Sequence, residues 1–241
     1  MRIRLDKFLS DMGISPRRQV PRLLKTGAVT VNGRPAASPS EKVDPNADVV
    51  AVSGTQIVYK DKHYYMMNKP AGVISATEDL RERTVLDLLD ETTRRLGLFP
   101  AGRLDKDSEG LLLLTNDGDW AHRIISPSKD VVKTYYVEVD GALTEEDARA
   151  FAEGIELEGG LLCRPARLTV LASGERSRAL VYLKEGKFHQ VKRMVAARGK
   201  RVTYLKRVAI GALKLDESLT PGAWRELTDA EVRAVFENPA E

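Results

Sequence analysis

Gly102-Arg103-Leu104-Asp105-Lys106-Asp107-Ser108-Glu109-Gly110-Leu111-Leu112-Leu113-Leu114-Thr115 joins a charged loop to an unbroken aliphatic run. Four consecutive leucines read as a strand buried on both faces. Asn116-Asp117-Gly118 turns the chain after it. Asp105 and Asp107 stand among Arg103 and Lys106 just before that strand, where a rigid scaffold can hold a reactive group in place. On this stretch alone, a solvated turn is the competing reading. Working outward, residues 64–67 read as a strand that ends in the turn Asn68-Lys69-Pro70-Ala71-Gly72. Thr84 is read as the cap of a helix over 85–89. Residues 133–139 alternate as a strand, Thr144 caps a helix over 145–154, and 168–171 and 178–183 are further strands. Residues 190–198 form a basic helix. Strands separated by helices at irregular intervals predict an α+β fold with a mixed, largely antiparallel sheet.

The first fifty residues read as a separate small module. Leu5, Phe8, Leu9 and Met12 follow one helical face, and Gly13 stops that helix. Ser15 is read as the cap of a second helix with Pro16 at its first position, Val20, Leu23 and Leu24 as its stripe, and Gly27 as its end. Val29-Thr30-Val31 then runs into Asn32-Gly33, a tight-turn signal. Pro21 is at odds with that helix, because an internal proline costs about 3 kcal/mol and either kinks the helix or moves its start. The expected domains are residues 1–56 and 57–241, with Ile57-Val58-Tyr59 already opening the second sheet.

The chain has 241 residues, 42% hydrophobic and 30% charged, the composition of a globular protein rather than a disordered one. Its longest aliphatic run is far short of the ~20 residues of a membrane span. The start Met1-Arg2-Ile3-Arg4 lacks the apolar stretch of a signal peptide. One cysteine, Cys163, leaves no disulfide framework and fits a reducing cytoplasm. The net charge is only +3, yet residues 1–35 hold eight cations against Asp6 and Asp11, and residues 184–207 hold nine against Glu185. Two basic islands on a nearly neutral chain point to a polyanion touched at two places. Phosphate-loop, dinucleotide-binding and nucleophile-elbow motifs are absent, which argues against an NTPase, a Rossmann enzyme and an α/β-hydrolase. His63, His122 and His189 are far apart and lack cysteine partners, so no metal site is expected.

Two resemblances organise these segments. Arg4-Leu5-Asp6-Lys7-Phe8-Leu9, Ser15-Pro16-Arg17-Arg18 and Gly27-Ala28-Val29-Thr30-Val31-Asn32-Gly33 resemble the S4 RNA-binding domain over residues 2–52. The loop Gly102-Arg103-Leu104-Asp105 resembles the catalytic motif of pseudouridine synthases. Asn68-Lys69-Pro70-Ala71-Gly72, Lys133-Thr134-Tyr135 and the segment from Glu185 to Met194 resemble that family's other motifs, in the same order. The spelling His189-Gln190-Val191-Lys192-Arg193-Met194 and the tail through Pro221-Gly222 to Leu227-Thr228 are most similar to the RsuA branch, the small-subunit ribosomal RNA synthases. Sister branches acting on large-subunit or transfer RNA share the catalytic motif.

The resemblance implies isomerisation of uridine to pseudouridine without a cofactor. Asp105 would be the catalytic carboxylate, Lys192 its cationic partner, and Tyr135 the ring that stacks on the target base. Arg103 would hold phosphate or the flipped nucleotide, with a salt bridge to Asp107 as the rival role. Lys69, Lys187, His189 and Arg193 would contact RNA around the cleft, and Arg4, Lys7, Arg17, Arg18, Arg22 and Lys25 would grip it from the S4-like module. The 184–207 island would line the active cleft. The partner implied is ribosomal RNA, as small-subunit RNA or an assembling small-subunit particle, and a cytoplasmic monomer is expected. Two other readings compete: an S4-type assembly factor that binds RNA without chemistry, and a glycoside hydrolase suggested by the acidic loop alone. An intact Asp105, Tyr135 and Lys192 set argues against the first, and the surrounding basic charge argues against the second.

Overall fold

The computed structural model describes residues 2–239, which divide into two compact units: residues up to 63 with 89–98, and residues 64–88 with those from 99 on. Among the described residues no helix is long and apolar enough to cross a membrane.

In the smaller unit, the helix Leu5–Asp11 buries Leu5, Phe8 and Leu9 against Val20, Val29, Val31, Val43 and Val50. Its sheet runs in the order Arg34–Pro35, Val29–Val31, Val50–Val52, Thr55–Ile57. Ile57 pairs with Val50, so it closes this sheet instead of opening the next one. The units accordingly divide after His63, not after residue 56. Pro21 is resolved by a shift of the helix start. A 3₁₀ turn covers Arg17–Gln19 and the α-helix begins at Val20, leaving Pro21 in the first turn, where no hydrogen bond is lost. Ser15 does not cap: Pro16 takes the cap position without a side-chain bond, and the Ser15 hydroxyl donates weakly to the Pro16 carbonyl at 3.5 Å. The segment 89–98 contributes the helix Glu91–Arg94, capped by Asp90, whose carboxylate accepts from the Thr93 amide.

The larger unit is built on one sheet, in the order Arg167–Ala172, Arg176–Leu183, Lys133–Asp140, Arg201–Ile210, Glu109–Thr115, Tyr64–Lys69, Trp224–Glu226. Neighbours are antiparallel except Arg201–Ile210 with Glu109–Thr115, which run parallel. The fold is thus α+β with a largely antiparallel sheet. Leu111 to Leu114 are completely buried. Leu111 and Leu113 pack with Met66, Trp120, Ile124 and Ile210, and Leu112 and Leu114 point to the other face. The turn after this strand also starts a helix, Gly118–Ile125, because the Asp117 carboxylate accepts from the amides of Asp119 and Trp120. Thr144 and Asp147 form a reciprocal capping box on the helix Glu145–Glu153. The expected helix after Thr84 is a single 3₁₀ turn, Val85–Leu88, and the capping is reversed: Asp87 accepts from the amide and hydroxyl of Thr84.

Candidate active site

The charged loop before the leucine strand is fixed through its backbone. The Arg103 carbonyl accepts weakly from Arg207 at 3.4 Å. The Leu104 amide and carbonyl both pair with the Ser75 hydroxyl at 3.0 Å. The Asp105 and Ser108 carbonyls accept from the Lys69 ammonium at 3.0 and 2.8 Å, and the Lys106 carbonyl accepts from the Gly72 amide at 2.7 Å. Lys69 is therefore not an RNA contact. It is fully buried at the end of its strand, and burial pushes its amine down to about 8, against the pull of the Asp107 and Asp105 carboxylates. The inward-facing carbonyls of the turn converge on this one ammonium, which carries several donors.

Close strand pairing supports the loop from the far side. Gly110 pairs with Arg207 at φ +99°, and a Cβ there would lie 2.3 Å from the Arg207 carbonyl oxygen. Only glycine lets the two parallel strands approach so closely. Arg207 is itself 3% exposed and donates to the Leu111 carbonyl at 2.8 Å.

With its backbone occupied, the loop turns the Asp105 side chain outward. The Lys192 ammonium, from the helix Gln190–Ala197, lies 3.3 Å from Asp105 Oδ2 and 2.6 Å from Asp107 Oδ1. The hydrogen bond from Lys192 holds the Asp107 carboxyl below its usual range. Asp107 thus pairs with Lys192, and no Arg103–Asp107 bridge forms. Arg103 is exposed. His189 precedes the helix in a left-handed conformation, φ 49°, which brings its Nε2 to 3.6 Å from Asp105 Oδ1.

Arg103, Asp105 and His189 line a cleft of about 720 Å³. Tyr135 is at its floor, 9% exposed, on the strand Lys133–Asp140. A register shift beside it leaves Val208 without a partner on this strand: Thr134 pairs with Ala209 and Tyr135 with Arg207. Phe188 is at the rim, an aromatic that the basic-island reading passed over. Its position between Lys187 and His189 was the available signal. Among the described residues no three His, Cys, Asp or Glu side chains gather as metal ligands.

The second basic island does not line the cleft as a block. Arg198 and Lys200 are taken up by the buried Asp147, Arg201 pairs with Asp140, and Arg207 is internal. Lys206 lies against a different cavity. Lys187 is held by Glu185 and the Leu162 carbonyl, and Arg193 donates to the Glu158 carbonyl. In the smaller unit Arg4 and Arg17 both bond to Asp6, and Lys7 pairs with Asp11. Arg18, Arg22 and Lys25 are exposed and carry no ion pair among the described residues.

The comparisons with known proteins agree with one another. Residues 63–197 match the family model described as RNA pseudouridylate synthase, and residues 3–49 match the S4 domain. The chain is 46% identical over 240 residues to an uncharacterised RNA pseudouridine synthase, YtzG, of Bacillus subtilis, covering 99% of this chain and 100% of the relative. It is 43% identical over 235 residues to ribosomal small subunit pseudouridine synthase A of Vibrio cholerae, covering 97% and 100%. A solved structure described as a pseudouridylate synthase superposes with TM-score 0.68 at 36% identity, covering 97% of this chain and 99% of the other.

Proposed function

Because this chain belongs to the RNA pseudouridylate synthase family and carries an S4 domain ahead of its catalytic fold, we propose that it converts one uridine of small-subunit ribosomal RNA into pseudouridine, with Asp105 as the catalytic carboxylate. The observation that carries the assignment of Asp105 is its position. It is the carboxylate that the loop turns into a cleft floored by Tyr135, with the Lys192 ammonium 3.3 Å away. The small-subunit target rests on full-length similarity to relatives whose names specify that RNA.

The target uridine leaves its stack, at a cost of a few kcal/mol, and enters the cleft. Tyr135 receives the base. Asp105, with the Lys192 ammonium 3.3 Å away, supports or attacks the sugar carbon as the bond to the base nitrogen breaks. The base turns, its C5 bonds to the same sugar carbon as any bond from Asp105 to that carbon breaks, and the C5 proton is lost while the freed N1 takes one up. Atoms and charge balance within the nucleotide, so nothing is consumed. Arg103, exposed at the loop, meets phosphate, and Arg18, Arg22 and Lys25 grip RNA through the S4 domain.

The test is pseudouridine mapping by carbodiimide labelling and primer extension on unmodified small-subunit RNA, naked and with ribosomal proteins bound. One new stop with the wild type and none with Asp105→Asn is expected. A stop only in large-subunit RNA would move the target. Tight binding without a stop on any ribosomal RNA would leave an assembly factor.

A further inference from the structure

Phe188 is 76% exposed, an unusual position for a phenyl ring. The ring is not loose, because it stacks on the His189 imidazole with centroids 3.8 Å apart and planes 17° from parallel. His189 in turn faces Asp105, with Nε2 3.6 Å from Oδ1. The backbone holds this arrangement in place: the left-handed conformation at His189 starts the helix that carries Lys192. A flat two-ring stack therefore stands at the rim of the cleft, which the exposed Arg103 also lines. One aromatic face is left uncovered. The ring is too exposed to share the pocket floor with Tyr135, which is 9% exposed.

We propose that Phe188, backed by His189, is a positioning residue that stacks on the RNA base next to the extruded uridine and occupies the gap the uridine leaves. This rests on the pseudouridine synthase reading above. A nucleotide that swings out leaves a neighbouring base with one bare face. An aromatic plane set just outside the pocket covers that face and favours the flipped state, while the exposed Arg103 of the same cleft meets phosphate.

The experiment uses full-length protein and naked small-subunit RNA transcript. Phe188→Trp reports stacking as loss of tryptophan fluorescence beyond that of the wild type, which carries only the buried Trp120 and the half-buried Trp224. Phe188→Ala should lower kcat/KM for pseudouridine formation by about 10- to 100-fold, the range that loss of one base–aromatic stack produces. Phe188→Leu, which keeps apolar bulk without a plane, should be equally impaired, and Phe188→Trp should recover the loss. Full activity in Phe188→Ala, or rescue by Phe188→Leu, would overturn the proposal. So would quenching by protein-bearing ribosomal particles but not by naked RNA, which would assign the ring to a protein contact. Absence of wild-type turnover on this RNA would count against the small-subunit target alone, and the fluorescence arm would still decide the stack.

Discussion

The Lys192 ammonium lies nearer to Asp107 than to Asp105, at 2.6 Å against 3.3 Å. Asp107 is largely exposed and Asp105 is not, with side-chain exposures of 74% and 27%. Two anions share one cation at the cleft, and the more exposed one holds the shorter contact. Removing the cation should therefore cost far more than removing the outer anion. Lys192→Met is expected to keep the fold and lose at least about 100-fold in turnover, in line with loss of a close charge partner. Asp107→Asn frees Lys192 for Asp105 and should stay within about tenfold of wild type. Single-turnover rates with circular dichroism as the fold control check both.

Lys69 serves the loop from below. Lys69→Met leaves the buried carbonyls of Pro70, Asp105 and Ser108 without this donor, each worth about 1–3 kcal/mol when unpaired, partly offset by relief of the buried charge. A net destabilisation of about 2–4 kcal/mol with strongly reduced turnover is expected. Urea denaturation and kcat are the readouts. A variant with native stability and only weaker RNA affinity would return Lys69 to the surface role that its charge suggests.

Lys133 gives a pH test. Burial pushes its amine down to about 8 from 10.5, with the neighbouring Arg207 adding to the effect, and it donates a hydrogen bond to the Ile124 carbonyl at 2.9 Å. Below pH 8 both folded and unfolded chains hold the proton, and the cost of the buried charge is present in full. Between pH 8 and 10.5 the unfolded chain holds a proton that the native one has released, so this group's contribution to stability rises with pH. Lys133→Met lacks that rise. The destabilisation it causes should be about 2 kcal/mol greater at pH 9.5 than at pH 7, read from denaturation midpoints.

The S4 domain separates free from committed cations. A triple Arg18→Ala, Arg22→Ala, Lys25→Ala variant should flatten the slope of log affinity against log salt by about 2 to 3. Arg17→Ala alone should change it by less than about 1, since Arg17 is engaged with Asp6. Filter binding to ribosomal RNA at four salt concentrations distinguishes the two.

Sequence reading went furthest where one local signal sufficed. The leucine run, the Thr144 cap and the glycines at 13 and 27 needed no distant partner to be read. Pro21 was legible as a conflict, and the structure resolves it by moving the helix start one turn along. Reading failed where tertiary contacts reverse a residue's usual preference. The strand Arg201–Ile210 looks like solvated basic surface, because Arg207 breaks the apolar alternation. That arginine is buried because the loop carbonyl of Arg103 and the strand carbonyl of Leu111 accept from it. Lys69 misled in the same way. Ser15 has the chemistry of a cap but not its position. Phe188 was hidden by the charges around it, although an aromatic between Lys187 and His189 was visible in the letters.

The close pairing of Gly110 with Arg207 also fixes when the site comes into being. Asp105 depends on Lys69, 36 residues earlier, while its loop depends on Lys192, 85 residues after Asp107, and on Arg207, 104 residues after Arg103. During synthesis the whole of the smaller unit, residues 89–98 included, is made well before the strand Arg201–Ile210. With Asp105 as the catalytic carboxylate, the proposed site would be complete only once nearly all of the sequence has emerged, later than the RNA-binding module.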